Sequence, residues 1–127
     1  MGHEKAVCLN CIDGNVQLPV ASWIKNRYQI DCVDMITEPG IVCVLSNLHQ
    51  SIDEINKKVR YCLETGSVTK LFISGHEHCD FCGIDDAQQK HQVSSAILRI
   101  QKDFPGLDVH GLWYRQDGSI EEIALLS

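Results

Sequence analysis

Four metal-competent side chains fall within seven residues of one another: His76, His78, Cys79 and Cys82, in the run Ser74-Gly75-His76-Glu77-His78-Cys79-Asp80-Phe81-Cys82-Gly83. Imidazole nitrogen together with thiolate sulfur is a donor set that zinc selects. A second thiol pair lies near the start, in Cys8-Leu9-Asn10-Cys11-Ile12-Asp13-Gly14. Each cluster follows or closes an apolar run, and open α/β sheets gather their sites at strand ends. The two segments are therefore expected to meet around one metal ion.

His76 and Cys79 stand three residues apart, so both can reach one ion if the chain coils into a helical turn after a strand. Cys11 can supply a third ligand if the strands leading to Cys11 and His76 are neighbours. Three protein ligands leave a tetrahedral zinc with one open position, the arrangement of a catalytic site. Two thiolates offset the metal's charge, and a bound water can still ionise near neutral pH. A competing pattern is Cys8-x-x-Cys11 with Cys79-x-x-Cys82, the spacing of a closed four-cysteine structural site or, more weakly, of a redox pair. Against it, Cys8 lies inside an apparent strand, where residues three apart face opposite sides. Cys8 is thus expected in the core, while Cys82 stays within reach as a fourth ligand. His78, between the ligands, is expected to point away from the metal, as a solvated loop histidine or a proton shuttle. Cys32, Cys43 and Cys62 sit in apolar patterns and read as small core fillers.

The elements that must position these groups follow from periodicity. Residues 5–11 read as a buried strand and 10–15 as a loop rich in turn formers. Pro19 favours the first turn of a short helix, and 28–36 read as a second strand closed by Glu38-Pro39-Gly40. Residues 41–64 carry Leu45, Leu48, Ile52, Ile55, Val59 and Cys62 at helical steps. Ser51 to Glu54 has capping-box spacing, so this helix can also be two pieces. Residues 70–74 form a third strand, and Asp85 or Asp86 caps a helix that runs to about Phe104. A strand over 107–114, a Gln116-Asp117-Gly118-Ser119 turn and an edge strand over 120–126 complete the chain. Strands alternating with helices predict an α/β fold: a mostly parallel sheet flanked by helices, with a C-terminal antiparallel hairpin edge.

The 127 residues suit one domain with a substantial core. A net charge of -6 and the lack of any basic cluster argue against a nucleic-acid partner. No apolar stretch approaches the roughly 18–20 residues of a membrane span. The opening Met1-Gly2-His3-Glu4-Lys5 lacks a signal peptide's apolar core, so a cytoplasmic location is expected. Seven cysteines in a reducing compartment point to metal binding more than to disulfides.

At the donor residues a family resemblance becomes specific. Cys11-Ile12-Asp13-Gly14-Asn15 and Ser74-Gly75-His76-Glu77-His78-Cys79 resemble the Cys-x-Asp-x-Arg and Gly-His-x-x-Cys signatures of the β-class carbonic anhydrases. The helix over 51–64, the run Gly66 to Ile73 and the ending Val109 to Tyr114 with Asp117-Gly118 are similar to family segments in the same order. The resemblance implies a single carbonic anhydrase-like zinc domain over 1–127, with Cys11, His76 and Cys79 on zinc. It implies reversible hydration of CO2 to bicarbonate by zinc-bound hydroxide, with Asp13 orienting the nucleophile, and a homodimeric assembly. The family's arginine is Asn15 here, so Asp13 loses an ion-pair partner that would hold it away from the metal. A silent zinc protein, its fourth position closed by Asp13 or Cys82, is the alternative. The N-terminal helices that embrace a partner subunit have no counterpart before Cys11, and the segment between Cys79 and the final hairpin is short beside typical members.

Overall fold

The computed structural model describes residues 4–123. Strand β1 (Glu4–Cys11) is buried from Ala6 to Cys11, which is why it reads as a continuous apolar run and not an alternating one. It lies between β2 (Cys32–Glu38) and β3 (Ser67–His76), parallel to both. β3 pairs in parallel with β4 (Asp108–Tyr114), and β4 pairs antiparallel with β5 (Ile120–Ile123). The sheet order is β2-β1-β3-β4-β5, the mostly parallel arrangement with one antiparallel edge that the alternation of elements predicts. Residues 124–126 of the expected last strand lie outside the described residues. Among the described residues no helix is long and apolar enough to cross a membrane.

Side-chain alternation sorts the core into two layers. Ala6 and Cys8 of β1 and Phe72 of β3 pack under Val16, Val20 and Ile24 of helix α1 (Gly14–Tyr28). Val7, Leu9, Leu71 and Ile73 face the opposite layer. That layer holds α2 (Ile41–Ser46), α3 (Asp53–Glu64) and α4 (Asp86–Asp103). Helix α4 begins in a capping box, with Asp85 accepting from Gln88 N and the Gln88 side chain returning to Asp85 N. Cys8, with no exposed surface, is the core residue expected of it, and burial raises its thiol pKa well above the ordinary value.

Three expectations about elements are corrected. Helix α1 starts at Gly14, well before Pro19, because the Asp13 side chain caps it by accepting from Asn15 N at 2.9 Å. Pro19 then lies inside the helix and offers no N–H to the Asn15 carbonyl. The helix continues to Tyr28 and stops where Gln29 turns left-handed (φ 56°), so the second strand begins only at Cys32. Over 41–64 the two-piece reading holds in place of the single long helix, and Leu48, expected on the apolar helical stripe, lies between the pieces and is 76% exposed. The Arg99 guanidinium reaches from α4 to the carbonyls of Leu45, Asn47 and Gln50 at 3.2, 2.9 and 2.7 Å. Those carbonyls are turned toward a cation and cannot continue a helical ladder. Ser51 does not form the capping box: its hydroxyl accepts from Asp53 N, and the N-cap position is Ile52.

Two of the three cysteine fillers are corrected too. Cys32 is exposed on the edge strand β2, whereas Cys62 is half-buried and packs against the core as expected. Cys43 is joined to Cys82 in a disulfide.

Candidate metal centre

Parallel pairing of β1 with β3 places their C-terminal ends side by side, with Cys8 opposite Phe72 and Leu9 opposite Ile73. Cys11 is the last residue of β1, His76 is the last of β3, and Cys79 follows in the loop. One ligand atom from each of these three buried residues lies within 4.8 Å of the others, a group that could hold a metal ion. The Cys11 and Cys79 sulfurs stand 4.0 Å apart. Two sulfurs at about 2.3 Å from a tetrahedral zinc would lie about 3.8 Å apart, so little movement is needed.

The imidazole is already in the correct tautomer. His76 Nδ1 lies 2.9 Å from the Glu77 carbonyl oxygen, which can only accept, so Nδ1 carries the proton. Nε2 therefore presents its lone pair, and it is buried without a hydrogen-bond partner. A buried, orphaned acceptor costs free energy unless something binds it. Two thiols and such a nitrogen fit a zinc ion chemically. Burial raises the Cys79 pKa and the neighbouring Cys11 adds to the rise, while the nearby backbone of Phe81 and Cys82 opposes it.

Gln89, on the first turn of α4, clamps the histidine from behind. Its Oε1 accepts from His76 N at 3.1 Å and its Nε2 donates to His76 O at 2.9 Å. Both groups of the His76 backbone are thus satisfied past the point where pairing with β1 ends. The approach is close because Gly75 has no side chain. A Cβ there would meet the Trp113 ring at 3.0 Å and Gln89 Oε1 at 3.2 Å. Gln89 was not singled out from the sequence, although a signal existed. It is a polar residue on the face of α4 that also carries Val93, Ala96, Ile97 and Ile100, and it is only 1% exposed. Such a residue must have a partner. On the other strand, Asn10 Oδ1 accepts from Cys11 N at 2.9 Å.

A cavity of about 450 Å³ opens against His76 and is lined also by Asp13, Asn15, Val16, His78 and Tyr114. Asp13 therefore shares a cavity with a metal-competent residue, and its role as helix cap was not foreseen. One carboxylate oxygen is held by the Asn15 amide, and no cation among the described residues pairs with it. The Asn15 side chain itself is exposed. His78 is exposed with a left-handed backbone (φ 57°), its N–H donating to Asp86 Oδ1 at 2.9 Å. Cys82 is not placed as a fourth ligand, because its sulfur is bonded to Cys43. His49 and His91 are exposed, and His110 stacks on Phe72 at 5.1 Å. A larger groove of about 570 Å³, beside Leu48, Asn56, Leu98 and Arg99, contains no thiol or imidazole.

A three-layer α/β sheet with this strand order is the architecture of solved β-carbonic anhydrases. The structure of the β-carbonic anhydrase CcaA superposes with a TM-score of 0.61 at 12% identity, covering 98% of this chain and 81% of that one. One of two tetrameric β-carbonic anhydrases from Sordaria macrospora gives 0.64 at 13% identity, covering 98% and 82%. Carbonic anhydrase from Glaciozyma antarctica gives 0.66 at 9% identity, covering 94% and 81%. At such identities the likeness establishes the fold. No curated protein matches the sequence. The family described as "Putative carbonic anhydrase" matches residues 1–124, and the chain belongs to that family.

Proposed function

We propose that the chain holds zinc through Cys11, His76 and Cys79 and catalyses the reversible hydration of carbon dioxide to bicarbonate, a lyase reaction. The observation that carries this reading is the convergence of two thiols and a correctly protonated imidazole, the imidazole beside a cavity that Asp13 also lines. Family membership supports it. A bound zinc would supply a hydroxide nucleophile near neutral pH by lowering the pKa of a water it holds.

The chain's own groups set the geometry. Asp13 keeps one oxygen on the amide of Asn15, at the positive end of α1, so its carboxylate is oriented by a helix terminus in place of a guanidinium. The other oxygen takes part in no hydrogen bond to a described residue and can accept one from the nucleophile. The same reading makes the protein a homodimer, with exposed Ile12 and Leu18 near the start of α1 as part of the shared face.

The test is carbon dioxide hydration by zinc-loaded protein, with zinc content measured on each sample. Wild type is expected to bind one zinc and turn over. Asp13→Asn should keep zinc and lose roughly 10²-fold or more in rate. Cys79→Ser should lose zinc. A zinc-replete wild type with no turnover, unrescued by Asn15→Arg, would sink the enzymatic reading. One observation favours a second reading, a silent zinc protein: Asp13 has no cation among the described residues to hold it off the metal. Turnover that appears only with Asn15→Arg would select this closed site.

A further inference from the structure

We infer that Cys43 and Cys82 form a reversible thiol–disulfide site that locks the metal loop, with a low-molecular-weight thiol and its disulfide as exchange partners. The inference rests on reading Cys11, His76 and Cys79 as a metal centre.

The bond joins the first turn of α2 to the loop that carries Cys79, across 39 residues with a Cα–Cα distance of 5.7 Å. Cys82 follows Cys79 by only three positions in the same loop. A displacement of Cys82 is therefore transmitted directly to a ligand. On the other side, Cys82 and Phe81 rest on Gly40. Gly40 is left-handed (φ +59°), and a Cβ there would lie 3.2 Å from the Phe81 backbone and 3.3 Å from the Cys82 sulfur. Gly40 closely follows Glu38, which is the register partner of Cys11 and accepts from Ile12 N at 3.2 Å. The disulfide thus ties the loop of one thiol ligand to the segment paired with the other.

Little else holds that loop. Among the described residues, Asp80, Phe81, Gly83 and Ile84 make no hydrogen bond to any other element. A disulfide sulfur carries no hydrogen, so the 3.9 Å approach of Cys82 Sγ to the Gly40 carbonyl is a packing contact. The site is also reachable: Phe81 is 55% exposed and Cys82 half-buried.

Opening proceeds by exchange. A small thiolate attacks the Cys82 sulfur, the protein S–S bond breaks and Cys43 leaves as a thiolate. A second small thiolate then attacks the mixed disulfide and releases Cys82. Two small thiols are oxidised to one disulfide, while the two cysteines together gain two electrons and two protons. Closing is the reverse, with the small disulfide as oxidant. With the bond open, Cys79 stays a ligand but on an untethered loop, and metal retention weakens.

The experiment follows zinc transfer from the loaded full-length chain to a chromogenic chelator. The forms compared are oxidised wild type, phosphine-reduced wild type, Cys43→Ser and Cys82→Ser, with disulfide state read by mass after alkylation. Zinc content at the start tests the metal reading separately; no zinc in any form removes that reading and the lock with it. Reduced wild type and both variants should release zinc about 10-fold faster than the oxidised protein, the size of effect typical for partners that orient ligands. Oxidised glutathione should restore slow release to reduced wild type and not to the variants. Equal rates in oxidised and reduced protein would overturn the lock. So would slower release on reduction, which would mean that Cys82 joins the metal.

Discussion

His76 depends on one side chain outside its own strand. Gln89 answers both the N–H and the carbonyl of His76 in a buried setting, so removing it leaves two buried backbone groups unpaired. Each such group costs about 1–3 kcal/mol. Gln89→Leu is therefore expected to lower unfolding free energy by about 2–4 kcal/mol, measured by urea denaturation. Gln89→Glu keeps the acceptor for His76 N but loses the donor, and should fall between the two. Metal affinity should weaken along the same series, read from cobalt(II) absorption titrations; unchanged affinity would make Gln89 a fold residue alone. The candidate donors themselves were legible because donor chemistry and spacing are properties of the chain. Gln89 was harder, since its significance lies in what faces it across α4 and β3, and sequence shows only that a polar residue sits on an apolar stripe.

At the level of elements, the split of residues 41–64 has a single identifiable support. Arg99 donates to three carbonyls of the α2–α3 connection. Hydrogen bonds from a charged donor contribute about 1.5–3 kcal/mol each when sheltered and less when partly exposed, as here. Arg99→Ala should cost about 2 kcal/mol in thermal or denaturant unfolding, and Arg99→Lys should recover only part, because one ammonium cannot match the fork. The C-terminal hairpin is tied to α4 in a pH-dependent way. Lys90, 3.0 Å away, and Arg115 hold the Glu121 carboxyl below its ordinary value of 4.5. A carboxyl lowered in the folded state adds stability above the unfolded value, and that stability is lost as pH falls through the lowered one. Glu121→Gln should therefore reduce Tm at pH 7 and match wild type in acid, once pH has fallen below the lowered value. A gap between the two that persists in acid would count against the ion pairs. Strands and α4 were readable from period and caps. The start of α1 was not, because Asp13-Gly14-Asn15 looks like a turn until its carboxylate is seen capping a helix.

For the whole molecule, the candidate site joins distant parts of the chain: one donor comes from β1 and two from β3 and its loop, and the two thiols are 68 residues apart in sequence. Metal bound there is bound only by the folded state, so it should raise stability by RT ln(1 + [L]/Kd), about 4 kcal/mol at a thousandfold excess over Kd. Removing zinc with a chelator is expected to lower the Tm of wild type and leave that of Cys79→Ser unchanged; equal losses would argue against a metal centre at this place. Sequence by itself determined the alternation of strand and helix and the burial of β1, which follow from local periodicity, and it offered Cys11, His76 and Cys79 as candidate donors with Cys82 still within reach, which follows from side-chain chemistry and the family resemblance. Only the tertiary structure decided the rest. It put β1 beside β3, so that distant donors came within 4.8 Å, and set Asp13 on a helix cap facing the same cavity. It also paired Cys43 with Cys82. Such pairings depend on which surfaces the chain buries together, and nothing in the spacing of a single residue type records that.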